Sequence, residues 1–217
     1  MTKIIDRVNI EFCHTWDNIK DVMIYGGEIH NVLISENQFY GAKGDAIVVG
    51  REARRIQIIN NRIYDFGRET DDMYDGIRIQ DWVYDVLIEG NIIGEHWEGN
   101  PRCELNLIDN CRNVMVIGND FPSTLQQVPI SKTTVGANIT IKNNQGFKTE
   151  NSGTATISAS TTVTFNHGLA GTPTHVECGF KAIGYGSWKW SATSTQITIQ
   201  VTSTGTYTFS WYAEYKP

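Results

Sequence analysis

The sequence predicts an all-β chain: a short right-handed parallel β-helix of about five rungs over residues 1–150, then a β-sandwich over residues 151–217. Three observations carry that expectation. A strand–turn–strand pattern recurs through the first part, a polar turn residue stands at a fixed place within each repeat, and the composition changes abruptly near residue 150.

The repeat is anchored on the triplets Val8-Asn9-Ile10, Val32-Leu33-Ile34, Ile56-Gln57-Ile58, Val86-Leu87-Ile88, Val114-Met115-Val116 and Ile139-Thr140-Ile141, spaced by 24, 24, 30, 28 and 25 residues. Three residues beyond the last anchor stands Asn37, Asn61, Asn91, Asn119 or Asn144, with Cys13 at the first rung. Two residues later comes Phe39, Ile63, Ile93 or Phe121. A second strand follows at Val22/Ile24, Ile47/Val49, Ile77/Ile79, Leu105/Leu107 and Val128/Ile130, each with the period of two that buries one face. Such a repeat hands its backbone hydrogen bonds to the rungs above and below. Asn suits a turn stacked on copies of itself, because it tolerates left-handed backbone and its amide can bond the next amide.

The last 66 residues carry Glu177, Glu214, Lys181, Lys189 and Lys216 as their only charged side chains, and 22 of them are Ser or Thr. That composition fits exposed strand faces and turns, and Lys148 to Gly153 reads as the linker. Alternating Val163/Phe165, Val176/Cys178/Phe180, Ile197/Ile199/Val201 and Tyr207/Phe209/Trp211 supply one buried face. They predict strands at 161–165, 174–180, 187–192, 196–202 and 206–215.

With 40% hydrophobic and 19% charged residues the chain reads as folded, and a net charge of −6 disfavours nucleic acid as partner. No N-terminal apolar run resembles a signal sequence or a membrane span. The first rung begins almost at Met1 without a capping helix, as in a piece of a longer protein. The cysteines Cys13, Cys103, Cys111 and Cys178 lack metal-site spacing and read as buried small hydrophobes.

The pattern V-x-I-x-x-N-x-[FI], followed by G-I-x-[VI], resembles the repeats of pectate-lyase-like and tailspike β-helix proteins over residues 8–147. His167-Gly168-Leu169, Thr172-Pro173-Thr174 and Trp211-Tyr212-Ala213-Glu214 resemble a small terminal domain of viral tail fibres, spikes and secreted β-helix proteins. The first resemblance implies fold but no single activity, since the superfamily includes lyases, hydrolases, epimerases and non-catalytic spikes. The second implies trimer closure or receptor contact. The polygalacturonase motifs G-H-G, N-T-D and R-I-K are absent, as is a spaced Arg-containing pectate-lyase signature, so no catalytic residue is carried over.

Candidate residues come instead from the connections. From the second strand to the next first strand the step is constant, seven residues for Val49 to Ile56, Ile79 to Val86 and Leu107 to Val114. From the Asn to the second strand it varies: 10 for Asn37 to Ile47, 16 for Asn61 to Ile77 and 14 for Asn91 to Leu105. Loops inserted on a rigid scaffold are where binding residues concentrate. Asp72, Asp75, Glu104, Arg78 and His96 are the candidate catalytic groups, and Tyr74, Trp97, Arg102, Gln80 and Asn106 the candidate substrate contacts. Carboxylates, guanidinium and amide groups beside aromatic rings suit a polysaccharide.

The favoured reading is a glycan-recognising spike or adhesin module, extracellular or on a virion surface. The alternatives are a lyase or glycoside hydrolase at the same groove and a purely structural spike segment. Hydrolysis needs two carboxylates, one with a raised pKa. A lyase needs a base such as Arg78 or His96, with Ca²⁺ on the Asp71 to Asp75 cluster as a possible cation and no cofactor otherwise required. Outward apolar residues Leu33, Ile59, Leu87, Met115 and Ile117 predict an interface, hence a homotrimer.

Overall fold

The computed structural model describes residues 5–26, 29–94, 101–122, 129–133, 136–181 and 183–217. It is all β, with two compact units, Met1–Gly146 and Phe147–Pro217.

In the first unit the anchor triplets stack in register as six parallel strands: Ile5–Glu11, Ile29–Ser35, Arg54–Ile59, Tyr84–Glu89, Arg112–Ile117 and Ile139–Lys142 (sheet 1). After the Asn turn come the short strands His14–Trp16, Gln38–Tyr40, Arg62–Tyr64 and Ile92–Ile93 (sheet 2). Sheet 3 follows with Val22–Tyr25, Ile47–Gly50, Asp75–Ile79, Cys103–Leu107 and Ile130–Lys132. The core is a set of columns one residue wide, such as Val32, Ile56, Val86 and Val114 from sheet 1 and Ile47, Ile77, Leu105 and Ile130 from sheet 3, all buried. Val128, expected beside Ile130 in the last rung, lies outside the described residues.

The asparagine ladder is continuous. The amides of Asn37, Asn61, Asn91 and Asn119 each donate to the side-chain oxygen of the next Asn at 2.9–3.0 Å. That same oxygen accepts the backbone N–H of the preceding rung's Asn at 2.9–3.1 Å, and Cys13 N–H donates to Asn37 in the same way at 2.9 Å. The second amide hydrogen reaches back to Ile10, Ile34, Ile58, Ile88 or Val116 carbonyl. The left-handed backbone belongs not to these Asn residues but to the residue before each: Glu36, Asn60, Gly90, Gly118 and Asn143, at φ 55° to 65°. At Gly90 a Cβ would lie 2.4 Å from Asn60 Oδ1, the tip of an exposed side chain that would have to move aside. Cys103 and Cys111 are buried as expected, Cys178 is half-buried, and Cys13 is exposed where the ladder begins. Burial pushes the Cys111 and Cys178 thiols up to about 11 and raises Cys103 further.

Outward residues of sheet 1 include the expected Leu33, Ile59, Leu87, Met115 and Ile117, but Gln57 sits between Leu33 and Leu87, and Glu89 between Ile59 and Ile117. The apolar stripe is therefore interrupted. Leu33, Leu87 and Met115 line a shallow groove of about 590 Å³ shared with Gln57, Arg55 and Asp85.

The second unit is one antiparallel sheet built on the long strand Gln196–Glu214. Glu150–Asn166 pairs along one side of it, while His175–Phe180 and Trp188–Ala192 pair with the two halves of its other side. Phe165 pairs with Ile197 and Gly153 with Trp211. The 14 residues from Ile197 to Trp211 would span about 46 Å if extended, yet the Phe165 and Trp211 rings are 5.0 Å apart. The sheet therefore folds over on itself, at the register shift between Ile157 and Thr162. Its halves are the two layers of the expected sandwich, enclosing Ile157, Ile197, Ile199, Tyr207 and Phe209. Two corrections follow: the strands expected at 196–202 and 206–215 are one strand, and Glu150 to Gly153, expected as linker, open the Glu150–Asn166 strand.

His167 is fully buried. Its Nδ1 accepts the Leu169 N–H at 3.0 Å, so Nε2 carries the proton and donates to the Thr193 carbonyl at 3.2 Å. It holds a turn together.

Replacing Asn91 by Ala strands the buried Asn61 N–H and removes one bond each from the Asn61 amide, the Ile58 carbonyl and Asn119 Oδ1, although the Asn61 amide keeps the Ile34 carbonyl and Asn119 Oδ1 keeps the residue-91 N–H. At about 1–3 kcal/mol for a buried unpaired group, the loss should be about 1–3 kcal/mol, read as a lower urea midpoint. Gln38→Ala, exposed on the strand that follows Asn37, should change stability by less than about 0.5 kcal/mol.

Candidate functional site

Where the variable connections enter sheet 3, three rungs place Asp45, Asp75 and Cys103 side by side: Cys103 pairs with Asp75, and the Asp75 N–H donates to Asp45 Oδ1 at 2.8 Å. Both carboxylates are buried, at 2% and 0% exposure. Burying them demands donors. Asp75 receives Arg102 Nε on Oδ1 at 2.9 Å and Arg102 Nη2 on Oδ2, with Asn106 Nδ2 at 3.0 Å and Cys103 Sγ at 3.1 Å. This fork-on-fork geometry is the strongest pairing available to a carboxylate. It ties the end of one inserted loop to the end of the next, as does the Arg102 N–H to Tyr74 carbonyl bond of 2.8 Å.

Asp45 is the functional candidate that sequence spacing missed. Its own connection carries no long insertion, yet Asp45-Ala46-Ile47 aligns with Asp75-Gly76-Ile77 thirty residues on, and that recurrence was the available signal. Its Oδ2 lies 3.7 Å from Arg78 Nη1. Burial raises the Asp45 pKa above the usual carboxylate value, and the neighbouring Asp75 charge raises it further, against the backbone bond and Arg78, which lower it. A carboxyl whose pKa is raised by burial beside a second carboxyl is the arrangement that separates acid from base in carboxylate pairs.

The structure gathers most of the expected residues here. Arg78 and Asn106 face each other across adjacent strands of sheet 3. Glu104 is buried next to Cys103. Tyr74 packs its ring 3.5 Å from where a Gly44 side chain would stand and donates to Glu69 at 3.3 Å. Burial, then the Glu69 charge, raises its phenol pKa. Gln80 sits at the far end of the strand, donating to Asp81 at 3.1 Å. Asp72 lies on an exposed turn with left-handed backbone. His96 and Trp97 lie outside the described residues. Both Asp75 oxygens accept from Arg102. Among the described residues no group of three His, Cys, Asp or Glu side chains is placed to hold a metal ion.

The inserted loops are braced from the first rungs. Arg68 reaches Asp17 at 3.3 Å and Asp65 at 3.7 Å, passing over Gly41, whose added Cβ would stand 3.1 Å from Nη1. Trp16, Tyr40 and Tyr64, in register on sheet 2, pack with ring centres 4.2 Å apart in a tilted pair and 5.1 Å apart edge to face.

Asp45 makes stability depend on pH in a defined direction. A carboxyl whose folded pKa is raised binds more protons folded than unfolded, so its contribution is present at low pH and lost as pH rises through the raised pKa. The stability of wild type relative to Asp45→Asn should therefore increase as pH falls from 7 toward the ordinary carboxylate value. Parallel urea melts at several pH values check it.

No family model matches the chain, and no curated protein does at the threshold of significance. Among solved structures, the tailspike gp61 of Pseudomonas phage phi297 superposes with a TM-score of 0.57 at 13% identity, over 97% of this chain and 44% of that one. The tailspike protein gp49 of Pseudomonas phage LKA1 aligns over 97% of this chain and 49% of that one, with a TM-score of 0.37 and 9% identity. The chain thus spans less than half the length of either. Among the described residues no helix is long and apolar enough to cross a membrane. The fold, argued from register and ladder and matched in the first of these structures, is that of a tailspike-like parallel β-helix.

Proposed function

We propose that this chain is a phage spike-type module, carried on the virion surface, that binds a bacterial surface polysaccharide along the outer edge of sheet 3. The observation that carries the reading is the charged cluster of Asp45, Asp75, Arg78, Arg102 and Asn106, built across three rungs at a place where the coil itself needs only apolar columns. Asp75, Arg78 and Asn106 are held on strands, and Asp45 and Arg102 just before strands, which preorganises them for a hydroxyl-rich ligand. Tyr74 adds an aromatic surface at the rim.

Hydrolysis at the same place is a second reading, favoured by one observation, the raised pKa of buried Asp45 beside Asp75. In that reading Asp45 is the proton donor, Glu104 is the second carboxylate that would activate water or attack the sugar, and Asp75, saturated by Arg102, Cys103 and Asn106, is a positioning residue. Glycan-array binding together with reducing-end release from a panel of bacterial polysaccharides tests both. Arg78→Ala should weaken binding about tenfold or more, as loss of a charged hydrogen-bond donor does. Binding without product supports the module. Product formation that Asp45→Asn abolishes supports the hydrolase, and neither binding nor product sinks both.

We propose in addition that three copies assemble through the outer face of sheet 1, where Leu33, Leu87 and Met115 line an open groove. Light scattering should give three times the chain mass, and Leu87→Glu should dissociate the assembly, because an unpaired charge in an apolar contact costs several kcal/mol. A monomeric wild type ends the proposal.

A further inference from the structure

The connection from sheet 3 to sheet 1 looks, from its constant seven-residue length, like pure scaffold. Its side chains are not those of a scaffold turn. Asp81 and Trp82 both have left-handed backbone, φ 56° and 64°, as do Arg51 and Glu52 one rung earlier, φ 56° and 61°. Paired left-handed residues are the place for Asn and Gly. A bulky aromatic residue there is an outlier, and an observed outlier of this kind points toward a selected side chain.

The side chains make a formed cleft. Arg51, Glu52, Asp81 and Trp82 line a depression of about 310 Å³, at the small end of the range for ligand sites and the scale of a single ring. Trp82 is 45% exposed. The Arg112 guanidinium lies 6.0 Å from its ring centre. The Asp81 carboxylate is aimed from outside the cleft: Tyr25, two rungs away in sequence order, donates to Oδ2 at 2.7 Å, and Gln80 donates to the same oxygen at 3.1 Å. Tyr25 can cross the intervening rung only because Gly50 lies beneath it, where a Cβ would come within 2.6 Å of the ring. Arg51 caps the other side of that ring at 5.4 Å.

We propose that the Trp82 cleft is a second carbohydrate subsite, separate from the Asp75 cluster, that takes one uncharged pyranose ring. The indole offers a flat face to the C–H side of the sugar, as aromatic rings do for other amphipathic ligands. Asp81 and Glu52 accept hydroxyl hydrogens, and Arg51 and Arg112 donate to hydroxyl oxygens. Asp109 Oδ2 accepts the Asp81 N–H at 3.2 Å, so three carboxylates stand against two guanidiniums and nothing selects an anion, while the cleft is too small to seat a helix or a strand of a protein partner. The proposal rests on the reading of the chain as a glycan-binding module, but it concerns different residues.

The test reads the cleft alone. The full chain is labelled with 5-fluorotryptophan, the Trp82 resonance is assigned by Trp82→Phe among the six tryptophans, and fluorine spectra are recorded with D-glucose, L-rhamnose, N-acetyl-D-glucosamine or inorganic phosphate. Concentrations run to roughly 100 mM, where a millimolar site is saturated. The expected result is a saturable shift of Trp82 with at least one sugar and none with phosphate, with Asp81→Asn weakening the affinity about tenfold. No saturable shift with any of the three sugars overturns the proposal, as does an equal response to phosphate. A Trp82 resonance that follows protein concentration also overturns it, since the ring would then belong to a contact between copies. Because the resonance reports only Trp82, failure of binding at the Asp75 cluster leaves this result distinguishable.

Discussion

In a parallel coil every strand is hydrogen-bonded to the rung before and the rung after, so no rung can satisfy its own backbone. Strand segments manage this by register alone. Turns do not, because a turn bends its N–H and C=O groups out of the ladder direction, and when buried each orphan costs about 1–3 kcal/mol. The stacked Asn residues solve that problem in one column. Each side-chain oxygen takes two donors from the rung before, and each amide feeds the rung after and the strand behind. Everything else in the first unit, from the Val and Ile columns to the placement of Asp75 beside Asp45, inherits the axial register that this ladder enforces.

That register also explains why chemistry accumulates at one end of sheet 3. Residues that occupy the same place in successive rungs stand about 4.8 Å apart whatever their distance in sequence. Asp45, Asp75 and Cys103 become neighbours for this reason, and the two carboxyl groups are tolerated side by side because Arg102 enters from a connection whose length the coil leaves free and Arg78 reaches Asp45 from the strand itself. Insertions after the Asn turn lengthen a loop without moving a strand. The same rule operates at the opposite end, where Tyr25 and Asp81 meet across 56 residues over Gly50.

The second unit depends on a different constraint. Its central strand is long enough to be paired along both layers, and the break in register near Ser160 lets one continuous sheet serve as both faces of a core. Alternation of apolar and polar residues was visible along that strand, but alternation says only which side chains share a face. It does not say whether two stretches belong to one strand, and so 196–202 and 206–215 read as separate.

What the sequence by itself determined is what repeats: the rung lengths, the Asn positions, the anchor columns, the change of composition toward the second unit, and the edge on which Arg78, Arg102 and Asn106 gather. Periodicity reports these because each rung must satisfy the same backbone and apolar demands. What only the tertiary structure decided is what a repeat does not encode. It assigned the left-handed backbone to the residues before the ladder, interrupted the apolar stripe with Gln57 and Glu89, turned Asp75 into a clamp for Arg102 and brought in Asp45. Each of these depends on where a side chain ends relative to another rung, and a linear spacing carries no record of the direction in which an arginine fork or a tyrosine ring reaches.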